Sequence, residues 1–339
     1  MKGKLAKKRF LSMQPDFGYL SAGVSRRRLG NLRTRLGAAI LLLILLAIFL
    51  VPAFVPYGYA QIITVDGQRD RGAKNLAPFA YSEMEQEAIA RGETVFPHIF
   101  GTDELCRDYF VRVMYGARVS LLTGVFATLV VLVIGAVYGA IAGYAGGRAD
   151  LLMMRVVDLI YALPDTLMVI LFSVVLDGAL MDALAGTALA KLGSNLLSLF
   201  IVFGALYWVG MARLVRARVL SLKKDEYVLA ARALGASPLR ILRRHILPGC
   251  APVILTAAAA QIPSAIFTES FLSFIGLGVQ APMPSLGSLA NAARGAMGSY
   301  PHKLVFPAAV LCLIVLAFNL ISEGSQGALD PRAGGDGHG

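Results

Sequence analysis

Two acidic residues interrupt apolar stretches of the sequence and could bind a cationic group inside a membrane. Asp165 and Glu269 each lie in a run that is otherwise largely uncharged. An ionisable group at membrane depth is a default candidate for a substrate pathway, where a carboxylate could bind a cationic group of the substrate. The alternative is that both carboxylates cap or hydrogen-bond neighbouring helices, since Asp165 directly follows Pro164, which frees backbone groups that need partners. We favour this structural role and keep the pathway role as a hypothesis.

Other residue types that perform chemistry are not grouped in the sequence. The three cysteines follow no disulfide or metal spacing, and the four histidines lie in separate segments. An intramembrane enzyme would need a nucleophile and a base within the spans, and we assign no histidine there. No G-x-x-x-x-G-K-S/T phosphate-binding loop occurs in the sequence. We therefore expect no catalytic residue, metal site or bound cofactor in this chain.

The apolar content predicts a membrane protein. The 339 residues are 57% hydrophobic and 16% charged, with a mean hydropathy of +0.66, more apolar material than a water-soluble domain of this length buries. A spanning helix needs about 20 mostly apolar residues. We predict an all-α polytopic protein of about six transmembrane helices, near 36–55, 119–142, 156–176, 196–211, 250–275 and 304–321. The long basic leader before the first span indicates a retained anchor rather than a cleaved signal peptide.

Lysine and arginine concentrate at two places, and these set the predicted orientation. The segment before the first span and the loop between spans four and five are both basic, so both are predicted to be cytoplasmic. Attraction of such residues to anionic lipid explains the net charge of +11 better than nucleic-acid binding does. The predicted organisation is a basic cytoplasmic tail (1–35), a first transmembrane helix (36–55), an external, periplasmic segment (56–115), a core domain with five further spans (116–325) and a cytoplasmic C-terminal tail (326–339). The external segment is either a small cap or disordered.

The basic loop at 213–248 has the residue pattern of a helical hairpin, that is, two short helices joined by a bend. Gly235 can end one helix in the left-handed conformation, Ser237 is a suitable N-cap, and Pro238 fits the first position of the next helix. The predicted apolar faces are Tyr227, Ala231 and Leu234 on the first helix, and Leu239, Leu242 and Ile246 on the second. Apolar faces of this kind must be buried. They pack either against this protein's own helices and the lipid interface, or against a partner protein.

Four motifs follow one another along the chain. The loop carries Leu229-Ala230-Ala231, then Gly235, then His245-Ile246-Leu247-Pro248. The others are GTDELCRDYFVRVMYGARVSL at 101–121, ESFLSFIGLGVQAPMPSLGSL at 269–289 and ALDPR at 328–332. Together these stretches resemble the permease subunits of ABC importers, and especially their oligopeptide and dipeptide branch. Leu229 stands where that family usually has Glu, His245 where it has Ile, and Cys106 where it has Gly.

This resemblance implies an ABC importer type I permease fold and a transport subunit that is not itself an enzyme. In such importers, two permease subunits form the pathway, two cytoplasmic ABC ATPases drive it with ATP and Mg²⁺, and an external substrate-binding protein delivers the substrate. We expect the second permease to be a different chain, which gives a heterodimer. The resemblance also implies a bacterial inner membrane location, contact with membrane lipid, and cytoplasmic N- and C-termini.

The resemblance further implies that the loop hairpin docks on one ATPase. The residues expected to couple the two proteins are Glu226, Tyr227, Ala230, Ala231, Gly235, Ala236, Ser237, Arg240, Leu247 and Pro248. Di- or oligopeptides are the expected cargo, although the branch also contains relatives for nickel chelates and other small solutes. An ion-coupled secondary transporter is the alternative from another class, but it would show inverted internal repeats, and we find no convincing one.

Overall fold

The computed structural model describes residues 32–184, 194–279 and 283–329, and this part of the chain is mostly helical. Two short strands, β1 (Thr64–Val65) and β2 (Gln68–Arg69), accompany the helices. The helices are α1 (Leu32–Phe54), α2 (Glu83–Ala90), α3 (Tyr109–Ala145), α4 (Gly147–Tyr161), α5 (Asp165–Leu184), α6 (Ser194–Leu206), α7 (Trp208–Leu222), α8 (Glu226–Ala233), α9 (Pro238–Ile241), α10 (Leu247–Phe274), α11 (Leu286–Arg294) and α12 (His302–Leu329). A π-helical segment, Leu242–Ile246, joins α9 to α10.

Five helical stretches are long and apolar enough to cross a membrane, or six if a bent pair counts as one span. The five are α1, α3, Leu196–Leu222 in α6 and α7, Pro238–Phe274 in α9 and α10, and His302–Gly324 in α12. The prediction of an all-α protein with about six spans is therefore confirmed.

The predicted third span is not one straight helix. Helix α4 meets the Thr166–Leu180 part of α5 at an angle of 87°. Pro164 lies at this break, where it lacks an N–H donor and disfavours a helical conformation for the preceding residue. An apolar run alone carries no information on such a bend.

Glycines bring α3 and α7 into close contact. Gly135, Gly139 and Gly143 lie on one face of α3, at every fourth position. A Cβ atom at Gly135 would lie 2.7 Å from the carbonyl oxygen of Trp208, and one at Gly143 would lie 2.9 Å from that of Arg216. At Gly139 it would overlap the backbone of α7 directly. These glycines therefore allow the backbones of the two helices to approach closely.

Residues 55–108 fold into a small cap over one end of the bundle. Strands β1 and β2 pair across Asp66-Gly67, whose φ angles of 52° and 76° fit a two-residue hairpin turn. Helix α2 begins with a capping box formed by Ser82 and Glu85. Ile63, Ala73 and Cys106 make a small buried core. Of the two alternatives left open by the sequence, the structure has the cap.

Candidate functional site

The hairpin between α7 and α10 turns at Gly235 as the sequence predicts. Gly235 has a φ of +80°, which glycine adopts without strain. The N–H of Gly235 donates to the carbonyl of Arg232 (3.0 Å), and the N–H of Ala236 donates to that of Ala231 (3.1 Å). This pair of bonds is a Schellman motif, which satisfies the last carbonyls of α8. The turn therefore fixes the angle at which the chain leaves α8.

The second arm of the hairpin is not a separate short helix, which corrects our expectation of two short helices. Pro238 begins α9, and the chain continues through the π-helical segment directly into α10. Pro248 lacks the N–H that would bond to the carbonyl of Arg244, and its ring would crowd that carbonyl. A widened π-helical turn just before Pro248 is a known response to such a conflict. The hairpin is thus the end of a long helix rather than an appended loop.

The buried face of the hairpin differs from the predicted one. Val228, Ile241 and Ile246 are fully buried and join the core cluster that contains Val219 and Leu222 of α7. Of the predicted apolar residues, Ile246 is buried, and Ala231 and Leu242 are partly buried. Leu234 and Leu239 are instead 88% and 63% exposed, and Tyr227 is 46% exposed. The two leucines flank the turn, which extends beyond the helices that could have covered them.

The tip of the hairpin is apolar and its flanks are basic. Arg232, Arg240, Arg243 and Arg244 are exposed, and among the described residues none of them lies within 4.0 Å of an acidic group. Glu226, Ala230, Ser237 and Pro248 are also exposed, whereas Ala236 and Leu247 are partly buried. Exposed leucines surrounded by unpaired arginines form a surface suited to a partner with an apolar pocket and an acidic rim.

Ion pairs hold the helices at this end of the bundle. The guanidinium of Arg216 donates two hydrogen bonds to Asp150, at 2.5 and 2.6 Å. Arg213 donates to Asp158 at 2.7 Å, and the Nζ of Lys223 donates to the carbonyl of Tyr144 at 2.5 Å. These contacts connect α7 with α3 and α4, and bidentate arginine pairs fix geometry as well as charge. The helices next to the hairpin are therefore held together by ion pairs and hydrogen bonds between their side chains.

Glu269 lies at the opposite end of α10, enclosed by serine hydroxyls. Its side chain is fully buried, and it accepts hydrogen bonds from Ser273 (2.8 Å) and Ser270 (3.2 Å). Ser120 of α3 and Ser285, the N-cap of α11, are further polar neighbours of this carboxylate. In this conformation the carboxylate joins three helices, as the structural alternative expects, and reaches no surface. Its part in a translocation pathway stays a prediction.

Asp165 is the first residue of α5, immediately after the break at Pro164. The side chain of Asp165 lies outside the described part of the structure, so its pathway role also stays a prediction. The loop motif maps to the hairpin. The 101–121 motif and the described part of 269–289 instead meet near Glu269, where the N–H of Leu286 in α11 donates to Oγ of Ser120 in α3 at 3.2 Å. The ALDPR motif continues past the described residues.

The cap contains a buried histidine whose role was not predicted from the sequence. His98 is fully buried, with Nδ1 2.8 Å from Asp108 and Nε2 2.8 Å from Glu85. Burial alone lowers the pKa of His98, but hydrogen bonds and charge from both carboxylates raise it to about 9. Asp108 also caps α3, and Glu85 closes the capping box of α2. The S-x-x-E spacing of Ser82 and Glu85 was the available signal for this network.

Comparison with known proteins places the chain in a transporter family. Residues 135–335 match the family described as "Binding-protein-dependent transport system inner membrane component". The chain belongs to this family. It is similar to the oligopeptide transport system permease protein OppC of Bacillus subtilis, with 43% identity over 69% of this chain and 72% of that protein. It is 44% identical to the dipeptide transport system permease protein DppC of the same organism, over 69% of each chain.

A further relative is the glutathione transport system permease protein GsiD of Pectobacterium atrosepticum, with 39% identity over 77% of this chain and 81% of that protein. The match to the inner membrane component family includes the hairpin and the helices that brace it. It begins at residue 135 and so leaves out the cap. Membership identifies this chain as a membrane component of a transport system, in agreement with the resemblance noted in its motifs.

Proposed function

We propose that this chain is a permease subunit of an ATP-driven, binding-protein-dependent importer for di- and oligopeptides, in which it forms half of the translocation pathway. The observation that carries the proposal is the family match, together with relatives more than 40% identical that are named as oligopeptide and dipeptide permeases. A secondary transporter is not favoured by this membership. Nickel chelates and other small solutes stay possible cargoes, and the relative named for glutathione makes that compound a useful test substrate.

The proposed complex contains a second, different permease, two cytoplasmic ABC ATPases that use ATP and Mg²⁺, and an external substrate-binding protein. The hairpin would be the contact with one ATPase, since its exposed tip and basic flanks need a complementary surface. The basic tail and loop favour a cytoplasmic position for the hairpin and both termini in a bacterial inner membrane. Closure of the ATPase pair would then move α10 and switch the pathway between its two faces. No catalytic step is assigned to this chain.

The central experiment compares valine substitutions at two glycines. Gly235 and Gly92 have φ angles of +80° and +90°, and neither would place a Cβ atom within 4 Å of another residue. Valine therefore meets the same strain at both positions, on the order of 1–3 kcal/mol. Gly235 lies in the hairpin, whereas Gly92 follows α2 in the cap. Gly92→Val is thus a matched control for backbone strain.

The tagged chain would be extracted from native membranes in mild detergent, its co-purifying proteins identified, and uptake of labelled alanyl-alanine and glutathione measured in cells. We expect the wild-type chain and Gly92→Val to recover two ATPases and a second permease. Gly235→Val should insert normally but lose ATPase recovery and uptake, and Gly235→Asn should retain both because asparagine tolerates this conformation. Normal uptake by Gly235→Val would refute the coupling role. A wild-type chain that moves solute without any ATPase would refute the importer.

A further inference from the structure

A cavity of about 280 Å³ lies where the cap meets the helical bundle. It is bounded by the chain that leads into α3, by the first turn of α3, by the C-terminal half of α11 and by the start of α12. Leu289 and Ala293 of α11 form an apolar wall. The charged residues that line the cavity are Asp103, Glu104, Arg107, Arg112 and Lys303. We call it the cap-side cavity.

Arg112 is a buried cation with unsatisfied hydrogen-bonding capacity. It is only 7% exposed, and its Nη1 donates to the carbonyl of Tyr59 at 2.9 Å. Its Nε lies 3.3 Å from Asp103 but has no hydrogen-bond partner of acceptable geometry among the described residues. Asp103 is already engaged, since both the Nε and Nη2 of Arg107 lie 2.7 Å from it. One carboxylate is therefore shared between two guanidinium groups.

Lys303 is a second buried cation in the same wall. It is 3% exposed, its Nζ donates to the side-chain oxygen of Asn75, and it lies 4.9 Å from the ring centroid of Tyr300. Within the described residues, no carboxylate lies within 4.0 Å of this ammonium group. Glu104, the other acid of the cavity, is exposed. Burying a cation without a paired anion is unfavourable, so the cavity is electrostatically incomplete.

We propose that the cap-side cavity binds a small carboxylate, and specifically the terminal carboxylate of a short peptide; this assignment of the source rests on the proposed function. Guanidinium and ammonium groups together are a recognised carboxylate-binding pair. The apolar wall suits the aliphatic part of a terminal residue. Ligand pockets commonly span about 300–1,000 Å³, so this one has room for a terminal residue or two rather than a long chain.

The test measures binding to the permease and ATPase complex in nanodiscs, without the external binding protein. The probes are labelled alanyl-alanine, its C-terminal amide and propionate, measured by equilibrium dialysis. We expect alanyl-alanine to bind at least about tenfold more tightly than its amide, because a charge-assisted hydrogen bond is lost. Lys303→Met should weaken alanyl-alanine binding by a similar factor, and Lys303→Arg should retain it. Glu104→Gln should tighten binding, since it removes a negative charge from the cavity.

Arg71→Met is the matched control, because Arg71 is an exposed cap cation that does not line the cavity. Equal binding of the peptide and its amide would overturn the proposal, as would unchanged affinity in both Lys303→Met and Glu104→Gln. If Lys303→Met does not assemble, Glu104→Gln alone decides. Lys303-dependent binding of propionate but not of alanyl-alanine would assign the site to free carboxylic acids and overturn the peptide source. Peptide uptake without any such binding would leave the importer intact and refute only this site.

Discussion

Raising the pH from 6.5 to above 9 should loosen the cap, because it removes the proton that lets His98 donate to two carboxylates at once. Only the imidazolium form has two N–H donors, and both ring nitrogens lie 2.8 Å from a carboxylate oxygen, one on Asp108 and one on Glu85. Tyr57 stacks on the ring at 5.0 Å, and burial raises the pKa of its phenol, so it stays neutral throughout this range. The titration should therefore report on His98.

The expected size follows from the displaced pKa. The folded-state pKa of His98 is about 9 and its ordinary value is 6.5, so at about 1.4 kcal/mol per pH unit the histidinium contributes about 3–4 kcal/mol. Because the folded pKa is raised, this stabilisation is present in full below pH 6.5, decreases between 6.5 and 9, and is lost above 9. It corresponds to about a 300-fold change in the equilibrium between closed and open cap.

Amide hydrogen exchange of the chain in nanodiscs would measure this effect. Protection of residues 82–108, corrected for the intrinsic pH dependence of exchange, should fall by about 300-fold across the window. His98→Gln should show lower protection than the wild type below pH 9, because its two carboxylates then have no cation between them, and its protection should not titrate between 6.5 and 9. Equal slopes in the wild-type protein and His98→Gln, or a flat profile in the wild type, would refute the assignment.

Three substitutions test the helical bundle, with the melting temperature in detergent as the measurement. Gly139→Leu should destabilise the chain by about 1–3 kcal/mol, since a side chain there overlaps the backbone of α7, whereas Gly210→Leu enters open space and should have little effect. Asp150→Asn should cost on the order of 1 kcal/mol, because Arg216 is partly exposed and its bidentate pair is screened; an unchanged melting temperature would show that the pair does not brace the helices. Glu269→Ala should cost about 1–3 kcal/mol by leaving buried serine hydroxyls without their acceptor, and Glu269→Gln should cost less.

The features that the sequence predicts well are local ones. Apolar runs identify most of the spans, because nearly every residue of a membrane-spanning helix must be apolar to lie in the hydrocarbon core. The hairpin turn was predictable because Gly235, Ser237 and Pro238 each restrict the backbone at their own position. Ser237 nevertheless makes no capping hydrogen bond, although its backbone is extended as an N-cap requires. Local preference thus fixed the conformation of the turn but not every contact within it.

The features that the sequence does not predict depend on neighbours distant along the chain. Val228 rather than Leu234 is buried because α7 and α10 determine which side of α8 is covered. The serines around Glu269 come from α3, α10 and the start of α11, and periodicity cannot bring them together. In the cap-side cavity, Lys303 meets a residue 228 positions earlier in the chain. Such contacts depend on how distant segments of the chain pack together, so they cannot be predicted from the local pattern of a single sequence.

The continuity of the hairpin with α10 gives the proposed coupling a physical route. The helical stretch Pro238–Phe274 has 37 residues, which at 1.5 Å per residue is about 55 Å, against about 30 Å for the hydrocarbon core. One helix can therefore protrude on the hairpin side and still reach Glu269 and α11 near the cap. Asp150 and Arg216 hold its neighbours in place at one end, and at the other end Glu269 of this helix lies beside Ser120 of α3 and Ser285 of α11's N-cap. A displacement at Gly235 would thus be transmitted along a single helix, without requiring a relay of separate elements.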